Sequence, residues 1–245
     1  MLRHIATLLT MAMLIGTTAF ASEGETKVYT EANEICDICF SAYNGGTLGP
    51  IIVTEGKLTK LFSSQDVYFI ALGGTELVDG QSTGILEDLQ VGFQQDNAYL
   101  QNVVNVIKNN IPVGSNLMLT GHSLGGMVAQ QVAANSYVKE NYNVVNTVTF
   151  GSPVISGGSR EGIVKRLGDT ADFVPYLSVT GQIIRQVAGL NRENGGYGTD
   201  GWKAHNESYI RSDVWGSYDV TGTKYGHAKL ILDLSTQTYY KAPRN

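Results

Sequence analysis

A serine with glycines two residues away on either side occurs twice, as Gly80-Gln81-Ser82-Thr83-Gly84 and as Gly121-His122-Ser123-Leu124-Gly125. In a chain with 29 glycines such a match is weak alone, so the flanking sequence has to choose between the two. Ser82 follows the polar Glu76-Leu77-Val78-Asp79, which offers no buried strand to hold a strained turn, and it reads as a loop serine. Ser123 follows the apolar run NLMLT (116–120) and precedes a segment whose first turns carry Gly125, Gly126 and Ala129. Strand, sharp turn and helix would lift its hydroxyl above a sheet, and the glycines let neighbouring backbones pass without Cβ clashes. The helix also aims its first N–H groups at developing negative charge. Ser123 is therefore the candidate nucleophile, and the chemistry it suits is acyl transfer. A phosphate loop, the competing reading of a Gly-rich turn, would need a lysine that is not there.

A serine hydroxyl attacks only when a base removes its proton. Beyond the first 21 residues the histidines are His122, His205 and His227. His122 adjoins Ser123 on a tight turn, so its ring points away from the hydroxyl and is expected to pack beside the sheet. His205 begins the helix-like HNESYIRSDVW (205–215) after a Gly-rich loop and is the preferred base. His227, in TKYGHAKLIL, precedes an apolar strand and stays open as the second choice. The acid that orients the base belongs at a strand end, which leaves Asp169, Asp172 and Asp200. Asp172 is preferred, because it follows the strand-like IVKRL (163–167) by a short turn and is locked from behind by Val174-Pro175.

These side chains need elements to position them. TEANEICDICFSAY has helical spacing; IIVT (51–54) and KLTKLF (57–62) around Glu55-Gly56 suggest a hairpin; VYFIAL (67–72) is a central strand. An amphipathic helix is expected from about residue 86 to 111, where Pro112 stops it. NLMLT, the helical MVAQQVAANSYV, VVNTVTF (144–150) and IVKRL then alternate. That order predicts an α/β fold with a mostly parallel sheet covered on both faces and its site at the strands' carboxyl ends. Toward the end, residues 189–201 read as a Gly-rich surface loop, 205–215 as a helix, and KLILDL (229–234) with QTYY (237–240) as a hairpin.

GHSLGG after LMLT, TFGSP (149–153) and DFVP (172–175) together resemble the fungal-type, or class 3, triacylglycerol lipases, over about residues 67 to 209. The resemblance implies an α/β-hydrolase fold, a mostly parallel central sheet with helices on both faces, and a triad of Ser123, His205 and Asp172. It also implies an oxyanion hole in which Thr75, within ALGGTE (71–76), and Leu124 donate backbone N–H groups. Gly73 stands where the family usually has an arginine. HNESY agrees with the family's H-x-x-x-Y-like start at His205, whereas the longer interval from Asp172 to His227 is closer to the fungal examples, so both histidines remain. The family's lid would follow the oxyanion turn, and residues 77–85 there are few and polar. The activity implied is hydrolysis of carboxylic esters of lipids with no metal or organic cofactor. A phospholipase or a short-chain esterase would use the same residues, and a non-catalytic binding protein would keep only the fold.

The opening MLRHIATLLTMAMLIGTTAFAS has Arg3 and His4, an apolar run over 5–15 and the small-residue end Ala19-Phe20-Ala21. This is the pattern of a cleaved signal peptide over 1–21, and the run is shorter than the ~20 residues a membrane span needs. A secreted or periplasmic protein with one hydrolase domain over 22–245 is the expectation. The chain carries 17 basic and 22 acidic residues, a net charge of −5, with no Lys/Arg cluster. Nucleic acid is not an expected partner, and contact with a lipid interface would be transient and apolar. Cys36 and Cys39 are too few for a zinc site; they read either as two small buried apolar residues or as a strained i,i+3 bridge.

Overall fold

The computed structural model describes residues 25–43, 49–74, 97–177 and 189–242. The 1–21 leader, Thr75, Ser82, the 77–85 segment and the start of the helix expected near residue 86 lie outside them.

Strands β3 (Ser63–Leu72), β4 (Asn116–His122), β5 (Asn143–Phe150), β6 (Ile163–Asp169) and β7 (Leu190–Glu193) run parallel in that order. Helices α2 (Ala98–Asn110), α3 (Leu124–Ala134) and α4 (Ser136–Asn141) lie between them in sequence. On the other side of β3, the antiparallel strands β2 (Ile51–Lys60), β8 (Lys229–Asp233) and β1 (Thr26–Tyr29) extend the sheet, and β9 (Thr238–Tyr240) also pairs with β2.

Period-two patterning sorts the strand residues onto two covered faces. Ile52, Phe69, Ala71 and Met118 point toward α1 (Ala32–Tyr43), where they meet Ile35, Cys36 and Cys39 together with Tyr209 and Trp215. Ile51, Ile70, Leu72, Leu117 and Leu119 point the other way, onto Leu100, Val103 and Ile107 of α2 and Val128 and Val132 of α3. Both cysteines are buried and free. The Cys39 Sγ lies 3.6 Å from the Thr120 hydroxyl, and burial pushes its pKa up to about 12, so the thiol stays protonated.

Five sequence expectations change. The first hairpin turns at Leu61-Phe62, not at Glu55-Gly56, because β2 runs unbroken through both of those residues. Gly56 is instead a close-approach glycine: a Cβ there would come within 2.5 Å of the Ile231 carbonyl oxygen on β8. KLILDL and QTYY do not pair with each other; both lie antiparallel to β2, end to end, joined by the single 3-10 turn Leu234–Thr236. The amphipathic stretch is not one unbroken helix: Asn97 is extended, and its side chain accepts from the Leu100 N–H to cap the helix Ala98–Asn110. Residues 190–193 of the Gly-rich stretch are the edge strand β7. The 205–215 segment is likewise divided, into the end of α5 (Gly201–Glu207), a 3-10 turn over Ser208–Ile210 and α6 (Ser212–Trp215).

Candidate active site

The centre of the site is the turn between β4 and α3. Ser123 sits there with φ 55° and ψ −122°, a conformation that costs a non-glycine residue on the order of 1–3 kcal/mol and that the surroundings must enforce. They do so from three directions. The Ser123 N–H donates to the Phe150 carbonyl at 2.9 Å, continuing the β4–β5 ladder into the turn. Gly121 faces the Gly125 backbone with no room for a Cβ, and Gly125 in turn faces the Leu72 and Gly73 carbonyls at the end of β3. The two flanking glycines therefore let α3 start almost in contact with the strand ends, with the hydroxyl at the sheet's carboxyl edge.

The His205 ring stands between Ser123 and Asp172. Its Nε2 is 3.0 Å from the Ser123 Oγ and its Nδ1 donates to the Asp172 Oδ2 at 2.8 Å. With the proton on Nδ1 facing the carboxylate, Nε2 is left to accept the serine proton. All three side chains are buried. Asp172 lies in the turn after β6, and its Oδ1 accepts from the Val174 N–H that opens the 3-10 turn Val174–Tyr176. His227 is exposed in the loop before β8. Asp169 accepts from the Ala171 and Gly195 N–H groups and the Ser208 hydroxyl, and Asp200 caps α5 by accepting from the Lys203 N–H. One detail differs from expectation: His205 does not open its helix but sits near its end, four residues after Gly201.

Of the two expected oxyanion donors, Thr75 lies outside the described residues. Leu124 is the first residue of α3, so its N–H has no acceptor within the helix. The chain just before Thr75 is anchored at Gly73, whose N–H donates to the Pro50 carbonyl and whose carbonyl accepts from the Tyr99 hydroxyl at 2.8 Å.

Several residues around the triad carried no role in the sequence reading. The Tyr209 hydroxyl donates to the Asp172 Oδ2 at 2.6 Å and accepts from the Asp169 N–H, and Trp215 stacks on its ring. Burial, then the nearby Asp172 charge, raise the Tyr209 pKa well above its ordinary value, so the phenol remains a donor. Asp172 thus accepts three hydrogen bonds, which fix its carboxylate in orientation beneath the His205 ring. The Gln130 side-chain amide donates to the Pro153 carbonyl and the Ser152 hydroxyl, and the buried Arg166 donates to the Ser152 and Pro175 carbonyls. These bonds hold TFGSP and DFVP in place from beneath.

Gly151, within TFGSP, has φ 54° and lies against the triad. A Cβ at this position would lie 2.8 Å from the Tyr209 ring, 3.0 Å from the Asp172 Oδ2 and 3.0 Å from the His205 Nδ1. Gly151→Ala should therefore push the acid–base pair apart as well as strain the backbone. The expected result is a fall in kcat of roughly 10- to 100-fold, since small displacements of reacting groups are costly, with about 1–2 kcal/mol lost in stability. Ester hydrolysis and denaturant unfolding measured on the same preparation check it; a fully active variant would show that Gly151 does not constrain the pair.

A further wall of the site is apolar. Met127, Ile155, Val174 and Leu177 form a small cluster, against which the half-buried Leu124, Phe173 and Trp202 pack. Among the described residues no cluster of His, Cys, Asp or Glu could hold a metal ion, and no helix is long and apolar enough to cross a membrane.

Comparison with known proteins adds three findings. A family model described as Lipase (class 3) matches residues 57–179, which include Ser123 and Asp172 and end before His205. No curated protein matches the chain. Among solved structures the chain is similar to the M37 lipase, at 13% identity and a TM-score of 0.42 over 74% of this chain and 92% of that one. It is also similar to the Rhizomucor miehei lipase in its propeptide complex, at 14% identity and a TM-score of 0.35 over 86% of this chain and 76% of that one.

Proposed function

The chain belongs to the class 3 lipase family and is a carboxylic ester hydrolase, and from that premise we propose that Ser123, His205 and Asp172 are its catalytic triad. One observation carries the assignment: the His205 ring bridges the Ser123 hydroxyl and the Asp172 carboxylate at 3.0 and 2.8 Å. His205 Nε2 takes the Ser123 proton as the oxygen attacks the ester carbonyl, and Asp172 holds the resulting imidazolium in orientation and charge. The same proton passes to the departing alcohol. A water molecule, activated by His205 in turn, then releases the acid from the acyl-serine. The Leu124 N–H and that of Thr75 receive the oxyanion in both halves of the reaction.

The substrate class is a lipid ester. Support for this comes from the half-buried Leu124, next to Ser123, Phe173, next to Asp172, and Trp202, whose ring centroid is 6.2 Å from that of His205, an apolar surface able to accept an acyl chain. Export and removal of residues 1–21, with 22–245 as one hydrolase domain, complete the reading and rest on the leader pattern. The test is a chain-length series of p-nitrophenyl esters beside a phospholipid, together with a fluorophosphonate probe. Labelling at Ser123 and rising kcat/KM with acyl length are expected. Absence of labelling would favour a binding protein that kept only the fold, and preferential release of fatty acid from the phospholipid would reassign the substrate.

A further inference from the structure

His122, adjacent to the nucleophile, has no place in the reaction as described, yet it is buried directly behind the base. Its Nε2 is 2.9 Å from the backbone carbonyl oxygen of His205. A carbonyl can only accept, so the His122 proton is on Nε2 and donates to it. The His122 ring also sits between two neighbouring rings in tilted contact, with centroids 4.6 Å from Phe40 of α1 and 4.6 Å from His205. Phe40 thus backs His122 and His122 backs the base.

Such a support is needed because of where His205 sits. Helix α5 has only seven residues and follows a loop rich in glycine, and a helix of that length is not stable by itself in water. His205 lies near its C-terminal end, among carbonyls that a helix cannot satisfy fully from within. A donor from β4 therefore caps the helix at the residue that carries the base. It also ties that residue to the strand that carries the nucleophile, so the base and Ser123 are referenced to one rigid element.

We propose that His122 is a positioning residue for the base, holding His205 at its reacting distance from Ser123 through the hydrogen bond to the His205 backbone carbonyl. This rests on the triad assignment above. A histidine suits the position because its ring is both a flat packing surface and a donor at the correct reach. Its burial, with the neighbouring His205 adding to the effect, lowers its pKa well below the ordinary value, so no second positive charge competes with the imidazolium that forms on His205.

Two substitutions separate the donor from the ring. His122→Phe keeps an aromatic body and removes the N–H; His122→Gln removes the ring and keeps an N–H at similar reach. With Ser123→Ala as control, kcat, KM, melting temperature and the rate of fluorophosphonate labelling are measured for each full-length variant. His122→Phe should lose roughly tenfold or more in kcat, and comparably in labelling rate, with KM little changed and the melting temperature lowered by about 2–4 °C, because the buried His205 carbonyl loses its donor while substrate binding is kept. His122→Gln should recover most of that loss. Wild-type kcat in His122→Phe, or a Gln variant as slow as the Phe variant while still folded, would overturn the proposal. If His122→Phe does not fold, the Gln variant decides alone: near-normal kcat supports the donor role and a tenfold loss rejects it. An active Ser123→Ala would instead reject the triad assignment on which the proposal rests.

Discussion

Ser123→Ala should abolish ester hydrolysis, with a fall in kcat on the order of 10⁶, while Ser82→Ala leaves the activity largely intact. The contrast tests more than the identity of the nucleophile. Both serines lie in G-x-S-x-G; Ser123 has a strained backbone at φ 55°, the His205 ring 3.0 Å away and a helix start beside it, whereas the sequence before Ser82 offers no buried strand to hold such a turn. The strain is sustained by the glycines at 121 and 125 and by the Ser123 N–H bond to the Phe150 carbonyl. Alanine accepts the same backbone about as well as serine, so the variant should fold and its loss of activity should be chemical. Burst release of p-nitrophenol and probe labelling should disappear together. Equal losses in the two variants would mean that the turn after β4 is not the elbow that activates the serine.

His205→Ala should lower kcat by several orders of magnitude and sharply reduce labelling of Ser123, because an unassisted serine hydroxyl is a weak nucleophile at neutral pH. His227→Ala should cost at most a little stability. The asymmetry follows from placement: the His205 ring is buried between the serine and Asp172, whereas His227 is exposed before β8. Asp172→Asn should follow His205→Ala in direction, since an amide nitrogen turned toward Nδ1 would favour the wrong tautomer of the base. A kinetic series at fixed pH on one short ester, with unfolding checked for each variant, measures all three. Retained activity in His205→Ala with loss in His227→Ala would require the base to be reassigned.

The sequence alone determined the local elements whose chemistry is short-range. NLMLT, the glycines around Ser123 and the small residues that follow specify strand, turn and helix within one stretch of chain, and Val174-Pro175 locks the turn that carries Asp172. The apolar runs VYFIAL and NLMLT, with strands alternating with helices along the chain, likewise announced a sheet covered on both faces. What the sequence left open is what depends on partners far along the chain. Gly56 looked like a turn residue because its real reason, the approach of Ile231 on β8, lies 175 positions away. KLILDL and QTYY looked like a hairpin because adjacency in sequence is the default, whereas β2 offered both of them an edge.

The same limit governed the site. Spacing could not separate His205 from His227, since the loop and short helix that carry a base have no pattern of their own; only tertiary contact brings His205 to Asp172 across a turn and to Ser123 across the sheet. Tyr209 over Asp172, Gly151 against both Asp172 and His205, and the His122 donor behind the base are equally decided by the fold. Each serves the site by proximity in space, and proximity between separate elements is set by how the two apolar faces of the sheet pack, which no local window of residues encodes.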